Sequence, residues 1–263
     1  SYLERATILK KTATQVYNKR KEISDLITQE TGLCLQHTLY EVKRAVNCIH
    51  FCANQAEILH HHDWTSEFII EDPLATLTVI AEPWDLAIGI TPFNHPLNMM
   101  VHKVAPAIAA GTAMVIKPSE KTPLTALKFG EILIECGLPK NLLNIVTGID
   151  SKKIVDQLVT NPKIDIVSFT GGVNTGKAIA RTMVNNGNEL KKYMPELGGN
   201  ATFVVMDDCN VDEAAKIAFG AFANSGQRCT AIRKIFLHDR TEKVSGTSWY
   251  KGPISLQILS RNP

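Results

Sequence analysis

Residues 164–177 read IDIVSFTGGVNTGK, an apolar run that leads through a glycine-rich turn into a helical pattern. The run from Ile164 to Phe169 is rich in β-branched residues, which favour a buried strand. Gly171 and Gly172 let backbone N–H groups approach a phosphate, and the start of the following helix adds a favourable dipole. The stretch therefore predicts a strand, a turn and a helix, with a ligand where the strand ends.

The same alternation of short apolar runs and helical patterns extends along most of the chain. The predicted strands are residues 77–81, 86–90, 113–116, 143–146, 164–169 and 202–206. The predicted helices lie near residues 97–110, 122–136, 151–160, 175–186 and 211–224. Continuous apolar strands separated by helices indicate a parallel sheet covered on both faces, so the expected fold class is doubly wound α/β.

The first seventy residues have a different pattern. Apolar residues recur at helical spacing from Leu3 to Ile27, Gly32 ends that pattern, and a second stripe runs from Val42 to Ala56. This periodicity predicts two amphipathic helices before the first strand.

Composition excludes several classes of protein. The chain has 263 residues, 44% of them hydrophobic, and a formal net charge of +2 without a long basic run, which argues against collagen-like, disordered and nucleic-acid-binding proteins. The longest apolar stretch, residues 104–116, is shorter than the ~18 residues of a membrane span. Six cysteines without a C-x-x-C pair, and no signal-peptide pattern at Ser1, lead us to expect a cytoplasmic protein with no membrane partner.

A zinc site is the weaker interpretation of the cysteines and histidines near the N-terminus. Cys48, His50, Cys52 and the histidines at 60–62 are zinc-type ligands. Cys52 already belongs to the apolar stripe of its helix, and three consecutive histidines cannot all face one ion. We therefore expect no metal.

A P-loop is the competing interpretation of the glycine turn. Gly171 to Lys177 matches G-x-x-x-x-G-K, but Ala178 stands where Ser or Thr would hold Mg²⁺. The turn also follows several strands, whereas a P-loop belongs after the first strand of its domain. A glycine-rich turn without any ligand is the other alternative for this motif taken singly.

Four further motifs stand at or after the ends of predicted elements. They are TPFNHP at 91–96, KPSE at 117–120, ELGG at 196–199 and GQRC at 226–229. Because ligands of a doubly wound sheet bind at the carboxyl ends of its strands, these motifs are candidates for one functional site.

With these motifs in this order, residues 1–240 resemble the aldehyde dehydrogenase superfamily. The resemblance rests on PFN at 92–94, KPSE at 117–120, FTG at 169–171, ELGG at 196–199 and GQRC at 226–229. It implies an N-terminal helical segment at 1–70, a cofactor-binding domain of modified Rossmann type at 71–195, and the start of a catalytic domain at 196–263.

The resemblance also implies a nicotinamide cofactor. Lys117 and Glu120 would bind the adenosine ribose and Gly148 would lie beside the adenine. The remaining cofactor-binding positions would be Ile90, Thr91, Pro92, Phe93, Phe169, Thr170, Gly171, Gly172 and Leu197. The Glu120 carboxylate favours NAD, because it accepts from a free 2′-hydroxyl and repels a 2′-phosphate, while Lys117 and Ser119 can accommodate NADP. Many family members have Ser where this chain has Gly172, so one side-chain contact to phosphate is lost.

The chemistry of aldehyde oxidation assigns roles to three residues. A thiolate is the best side-chain nucleophile for an aldehyde, and Cys229 is the candidate. The Asn94 amide and the Cys229 backbone N–H would stabilise the oxyanion of the thiohemiacetal. Once hydride has left, Glu196 would act as the general base for hydrolysis of the thioester, and if it works near neutral pH we expect its pKa to be raised by burial.

Arg228 bears on the choice of aldehyde. The stretch around it is similar to family members that act on small anionic aldehydes, namely phosphonoacetaldehyde, lactaldehyde and non-phosphorylating glyceraldehyde-3-phosphate dehydrogenases. A guanidinium next to the nucleophile could hold a phosphonate, phosphate or carboxylate bidentately. A structural salt bridge is the equal alternative.

The resemblance stops after Arg240, and residues 241–263 are atypical. The family's Glu-x-Phe-Gly-Pro motif and its C-terminal strand, which serves oligomerisation in its homo-oligomeric members, do not occur in this sequence. We therefore expect an incomplete catalytic domain, a chain that binds NAD weakly, and little turnover of an aldehyde substrate by the chain alone. The alternative function is a truncated, catalytically weak or inactive paralogue or fragment that retains cofactor binding or a structural role.

Overall fold

A computed structural model describes residues 1–61, 81–186, 190–238 and 255–259. The chain forms two compact units, residues 1–196 and residues 197–263.

The first unit contains a five-stranded parallel sheet with strand order β3-β2-β1-β4-β5. Its strands are β1 Leu86–Ile90, β2 Ala113–Lys117, β3 Leu143–Ile145, β4 Ile166–Thr170 and β5 Lys192–Glu196. The expected doubly wound α/β sheet is confirmed. Strand β1 is central and is buried from its second residue onward, as expected for a parallel strand with both faces covered.

Helices connect these strands and cover the sheet. They are α4 Pro96–Ala110, α5 Pro123–Glu135, α6 Ser151–Val159 and α7 Val173–Asn186. Right-handed crossovers place α4 and α5 on one face, because the chain moves outward from β1 to β3, and place α6 and α7 on the other face.

Three helices precede the sheet: α1 Tyr2–Asn18, α2 Arg20–Thr31 and α3 Leu35–His61. Their apolar faces share one core with β1, α4, β2, α5 and β3. The prediction of a single helix from Leu3 to Ile27 is wrong, because the helix is interrupted at Lys19, where α1 ends and α2 begins. The buried residues Val16 and Ile23 on either side are seven positions apart, two helical turns, so the apolar period conceals the break.

The second unit begins with β6 Ala201–Val205 and α8 Val211–Phe219, continues through a 3₁₀ helix Gly220–Gly226, and adds β7 Ile232–His238 and β8 Ser255–Leu259. The three strands pair in parallel in the order β6-β7-β8. A small core forms from five buried side chains, Val205, Ala214, Ala218, Ile235 and Leu237.

Several sequence-based boundaries need correction. The helix expected over 211–224 is α8 followed by the 3₁₀ segment, and the strand expected from Ile164 starts at Ile166. The strands β5, β7 and β8 were not predicted. Strand β5 is mostly exposed and contains Pro195, so it lacks the apolar run of its neighbours. The predicted strand at 77–81 lies outside the described residues except for Ala81, which is not in a strand.

A substitution at Gly89 tests how closely α4 packs on β1. A Cβ at this position would lie 2.5 Å from Ile116 Cδ1 and 3.0 Å from Lys103 Cδ, both in side chains that the fold buries. We expect Gly89→Ala to lower the free energy of unfolding by about 1–3 kcal/mol through overpacking, measured by urea denaturation. Gly172→Ala is the control, because its Cβ would meet nothing within 4 Å. Equal stabilities of the two variants would contradict this account of the close approach.

Candidate active site

A cleft opens at the carboxyl ends of β1, β2 and β4, where the direction of strand order reverses. Its volume is about 650 Å³, within the ~300–1,000 Å³ range of small-molecule sites. The predicted cofactor residues that line it are Ile90, Thr91, Pro92, Phe93, Lys117, Glu120, Phe169, Thr170, Gly171 and Gly172. Pairing of β1 with both β2 and β4 brings these three groups of residues together.

Lys117, Glu120 and Ser151 form a hydrogen-bonded triangle in the cleft. The Lys117 ammonium donates to Ser151 Oγ at 2.6 Å and to Glu120 Oε2 at 3.3 Å, and Ser151 Oγ donates to the same carboxylate oxygen at 2.7 Å. The hydrogen bond from Ser151, then one from the backbone of Glu120 and the interactions with Lys117, lower the pKa of Glu120 to about 2. Glu120 is therefore an ionised acceptor at neutral pH.

The glycine turn leads directly into α7. Gly171 donates its N–H to the Glu196 carbonyl at 3.0 Å, and the first helical bond runs from Gly176 N to Gly172 O at 3.0 Å. Gly172 has open space where a Cβ would stand. The first turn of α7 lines the cleft through Asn174 and Thr175, so the positive end of the helix dipole adjoins the cleft.

The loop after β1 carries Asn94. Its start is fixed by the hydrogen bond from Thr91 N to Lys117 O at 3.2 Å. The Phe93 ring lines the cleft, and the Lys121 ammonium lies 4.7 Å from its centroid. Asn94 immediately precedes His95, the N-cap residue of α4.

Glu196 is the last residue of β5 and is exposed. The expectation of a buried Glu196 is therefore wrong for the described residues. The buried cation that interacts with it is Lys103 of α4, whose ammonium donates to Ser168 Oγ at 2.8 Å. Burial lowers the pKa of Lys103 to about 8, and the charge of Glu196 acts in the opposite direction.

Cys229 belongs to the second unit and is exposed. It follows three residues with left-handed backbone, Asn224 at φ 56°, Ser225 at φ 54° and Gly226 at φ 68°. A side chain at Gly199 would overlap the Cys229 carbonyl oxygen, so the ELGG motif passes directly against the backbone of the cysteine. This close approach explains why position 199 requires glycine.

Arg228 precedes Cys229 and is half-buried. Its Nε is buried and has no hydrogen-bond partner among the described residues. Leu197 is the first residue of the second unit, and Gly148 lies after β3 with its α-carbon against Ile154. Gly148 does not line the described cleft, where Ser151 and Lys152 of α6 line that side.

Sequence reasoning missed Ser151 and Lys103. Ser151 is the first residue of α6 and follows the N-cap Asp150. The sequence indicated the loop after β3 as part of the site, but no pattern singled out the Ser151 hydroxyl. Lys103 lies among Met100, Val101 and Val104 on an otherwise apolar helical face. A charged residue in such a stripe is the signal that could have found it.

Within the described ranges, no three His, Cys, Asp or Glu side chains are grouped closely enough to hold a metal ion. None of the helices in those ranges is long and apolar enough to cross a bilayer.

The strand order, the cleft at the switch point and the glycine turn before α7 define a dinucleotide-binding fold of Rossmann type. Residues 1–245 match the aldehyde dehydrogenase family, and the chain belongs to this family of oxidoreductases.

Three similar proteins illustrate the match. The chain is 38% identical over 240 residues to aspartate-semialdehyde dehydrogenase 1 of Pseudomonas canavaninivorans, covering 89% of this chain and 48% of that protein. It is 37% identical over 242 residues to betaine aldehyde dehydrogenase 1 of Oryza sativa subsp. japonica, covering 91% and 46%. The crystal structure of an NADP-dependent enzyme of E. coli superposes with a TM-score of 0.86 at 31% identity, covering 93% of this chain and 49% of that one. The chain thus spans about half the length of the curated relatives it matches.

Lys103 makes stability depend on pH. Its pKa falls from 10.5 in the unfolded chain to about 8 in the folded one, so the unfolded state binds more protons between these values. The contribution of Lys103 to the free energy of unfolding should therefore rise as pH increases from about 8 to 10.5 and stay constant below pH 8. Lys103→Met should abolish this rise. Urea denaturation of both proteins across this range measures the difference. A wild-type minus variant difference that does not change with pH would contradict the assignment.

Proposed function

We propose that the cleft of the first unit binds NAD and that Cys229, Asn94 and Glu196 carry out the oxidation of an aldehyde to its carboxylic acid. The observation that carries the proposal is the Lys117–Glu120–Ser151 triangle at the switch point of a Rossmann-type sheet. An ionised carboxylate at this position is suited to accept hydrogen bonds from ribose hydroxyls.

The residues around the cleft fit a dinucleotide. Glu120 supplies the acceptor for a ribose, and Lys117 fixes that carboxylate from a buried position. Gly172 and the first turn of α7 supply backbone donors for a pyrophosphate, because the Gly171 N–H already donates to the Glu196 carbonyl. When bound, the nicotinamide provides the two-electron acceptor that takes hydride from the substrate carbon.

NAD is preferred over NADP in this proposal. The low pKa of Glu120 keeps it negatively charged, and a 2′-phosphate would meet that charge. Lys117 and Ser119 also line the cleft, so NADP is disfavoured without being excluded. The similar enzyme from E. coli is NADP-dependent, so the fold also serves NADP.

The proposed chemistry begins at Cys229. Its thiolate attacks the aldehyde carbon, a C–S bond forms, and the carbonyl oxygen becomes an oxyanion. The Asn94 amide and the Cys229 backbone N–H donate to that oxygen, and loss of one such donor typically costs ~2.7–4 kcal/mol. As hydride departs, the C=O bond reforms and a thioester remains on Cys229.

Glu196 completes the proposed cycle as general base. It takes a proton from water, the resulting hydroxide attacks the thioester carbon, and the C–S bond breaks to release the acid and the thiolate. Lys103 is the buried cation that interacts with this carboxyl group, since the charge of Glu196 opposes the lowering of the Lys103 pKa by burial.

The proposed substrate class is a small anionic aldehyde, held by Arg228. Its buried Nε has no partner among the described residues, and no ion pair of Arg228 occurs there. These observations favour substrate binding over the structural salt bridge. The names of the relatives include aspartate semialdehyde, which carries a carboxylate, and betaine aldehyde, which is a cation, so these names do not favour one substrate charge over the other.

Glu120→Gln tests the preference for NAD. The change removes the negative charge but keeps an oxygen acceptor, so we expect the ratio of the Kd for NADP to the Kd for NAD to fall by about tenfold. Isothermal titration calorimetry measures both constants. Glu131→Gln is the control, because Glu131 is an exposed carboxylate on α5 outside the cleft. An unchanged ratio in Glu120→Gln would contradict the assignment.

Two variants separate the catalytic roles. Glu196→Gln should release one NADH per site in a burst and then stall, since acylation does not need the base. Cys229→Ala should give no burst, whereas Cys209→Ala, which removes the other thiol of the second unit, should behave as wild type. Stopped-flow absorbance of NADH with a panel of small aldehydes follows both phases. Wild-type rates in Cys229→Ala, or a uniform loss without a burst in Glu196→Gln, would overturn these roles.

A further inference from the structure

Glu41 of α3 is a buried carboxylate with no part in the chemistry described so far. It is 2% exposed, and its Oε1 accepts hydrogen bonds from Leu97 N at 2.9 Å and Asn98 N at 3.0 Å. Its Oε2 lies 3.4 Å from His95 Nδ1. All three contacts are at the start of α4, which follows Asn94.

The start of α4 needs a cap from elsewhere. The N-cap residue His95 makes no side-chain capping bond, and Pro96 has no N–H. Leu97 and Asn98 are buried, so water does not reach their amides readily. A carboxylate at this place satisfies both donors and also interacts favourably with the helix dipole.

The loop with Asn94 is therefore held at both ends. Thr91 N bonds to Lys117 O at its start, and Glu41 binds the first turn of α4 at its end. Only Pro92, Phe93 and Asn94 lie between Thr91 and the N-cap His95. The backbone position of Asn94 thus depends on where Glu41 holds α4.

We propose that Glu41 is a positioning residue for aldehyde oxidation, which holds the Asn94 amide where the oxyanion develops. It acts through the N-terminus of α4 and touches neither substrate nor cofactor. The inference rests on the proposed role of Asn94 as an oxyanion donor. A displacement of about 1 Å at a catalytic group can cost about 100-fold in rate.

Glu30 of α2 provides a matched control. It accepts hydrogen bonds from Leu124 N at 2.6 Å and Thr125 N at 2.9 Å, at the first turn of α5. Both glutamates cap a helix start through two backbone amides, and Glu30 also accepts from the Thr125 hydroxyl. Glu30, however, holds the loop after β2, which carries Glu120. Loss of Glu41 should therefore lower the rate of hydride release, whereas loss of Glu30 should weaken cofactor binding.

A double-mutant cycle tests whether Glu41 acts through Asn94. We expect Glu41→Ala to slow the NADH burst about 10- to 100-fold, with the KM for NAD within about twofold of wild type. In an Asn94→Ala background the same change should have almost no further effect. Glu41→Gln should remain within about threefold of wild type, because its amide oxygen can still accept from Leu97 and Asn98. Multiplicative losses, or equal effects of Glu41→Ala and Glu30→Ala on the burst, would overturn the proposal.

Hydrogen exchange tests the same claim without a measurement of enzyme activity. Amides of residues 91–98 should exchange about tenfold faster in Glu41→Ala than in Glu30→Ala, and amides of 122–126 should show the reverse. If Glu41→Ala does not fold, Glu41→Asp, which withdraws the carboxylate by one methylene, replaces it in both experiments. Absence of NAD binding by the wild-type chain would refute the proposed function. Unchanged exchange at 91–98 would refute the positioning role of Glu41.

Discussion

The parallel pairing of β1 with β2 on one side and with β4 on the other places the loops that form the cleft next to one another. Because all three strands run in the same direction, the loops after Ile90, Lys117 and Thr170 emerge at the same edge of the sheet. The right-handed crossovers then send α4 and α7 to opposite faces, which leaves a crevice between the two loops. The glycine turn, the lysine of β2 and the Asn94 loop acquire a common location only through this pairing.

The N-terminal helices add a second constraint on the same loops. Glu30 and Glu41 place carboxylates at the starts of α5 and α4, and both helices follow cleft loops directly. These helices share the core of the sheet, so the two caps are held on a rigid support. The helical layer thereby links the packing of the first 61 residues to the geometry of the cleft.

Sequence reasoning succeeded where one residue or one short period decides the structure. The apolar runs at β1 and β4 and the glycines at 171 and 172 identified the sheet and the turn. It failed where the deciding contact is distant in sequence. Strand β5 has no apolar run because it is mostly exposed. Glu41 caps a helix 56 residues away, and no spacing rule covers that separation. The roles of Cys229 and Glu196 came from the family resemblance and the chemistry of aldehyde oxidation and remain proposals.

The claim on which the proposed function depends most directly is that the cleft at the carboxyl ends of β1, β2 and β4 holds a dinucleotide. A crystal structure of the chain grown with NAD tests it. The account predicts the adenosine ribose hydroxyls on Glu120 and the pyrophosphate at the first turn of α7. NAD bound elsewhere on the first unit, or a cleft that stays empty at saturating NAD, would contradict it.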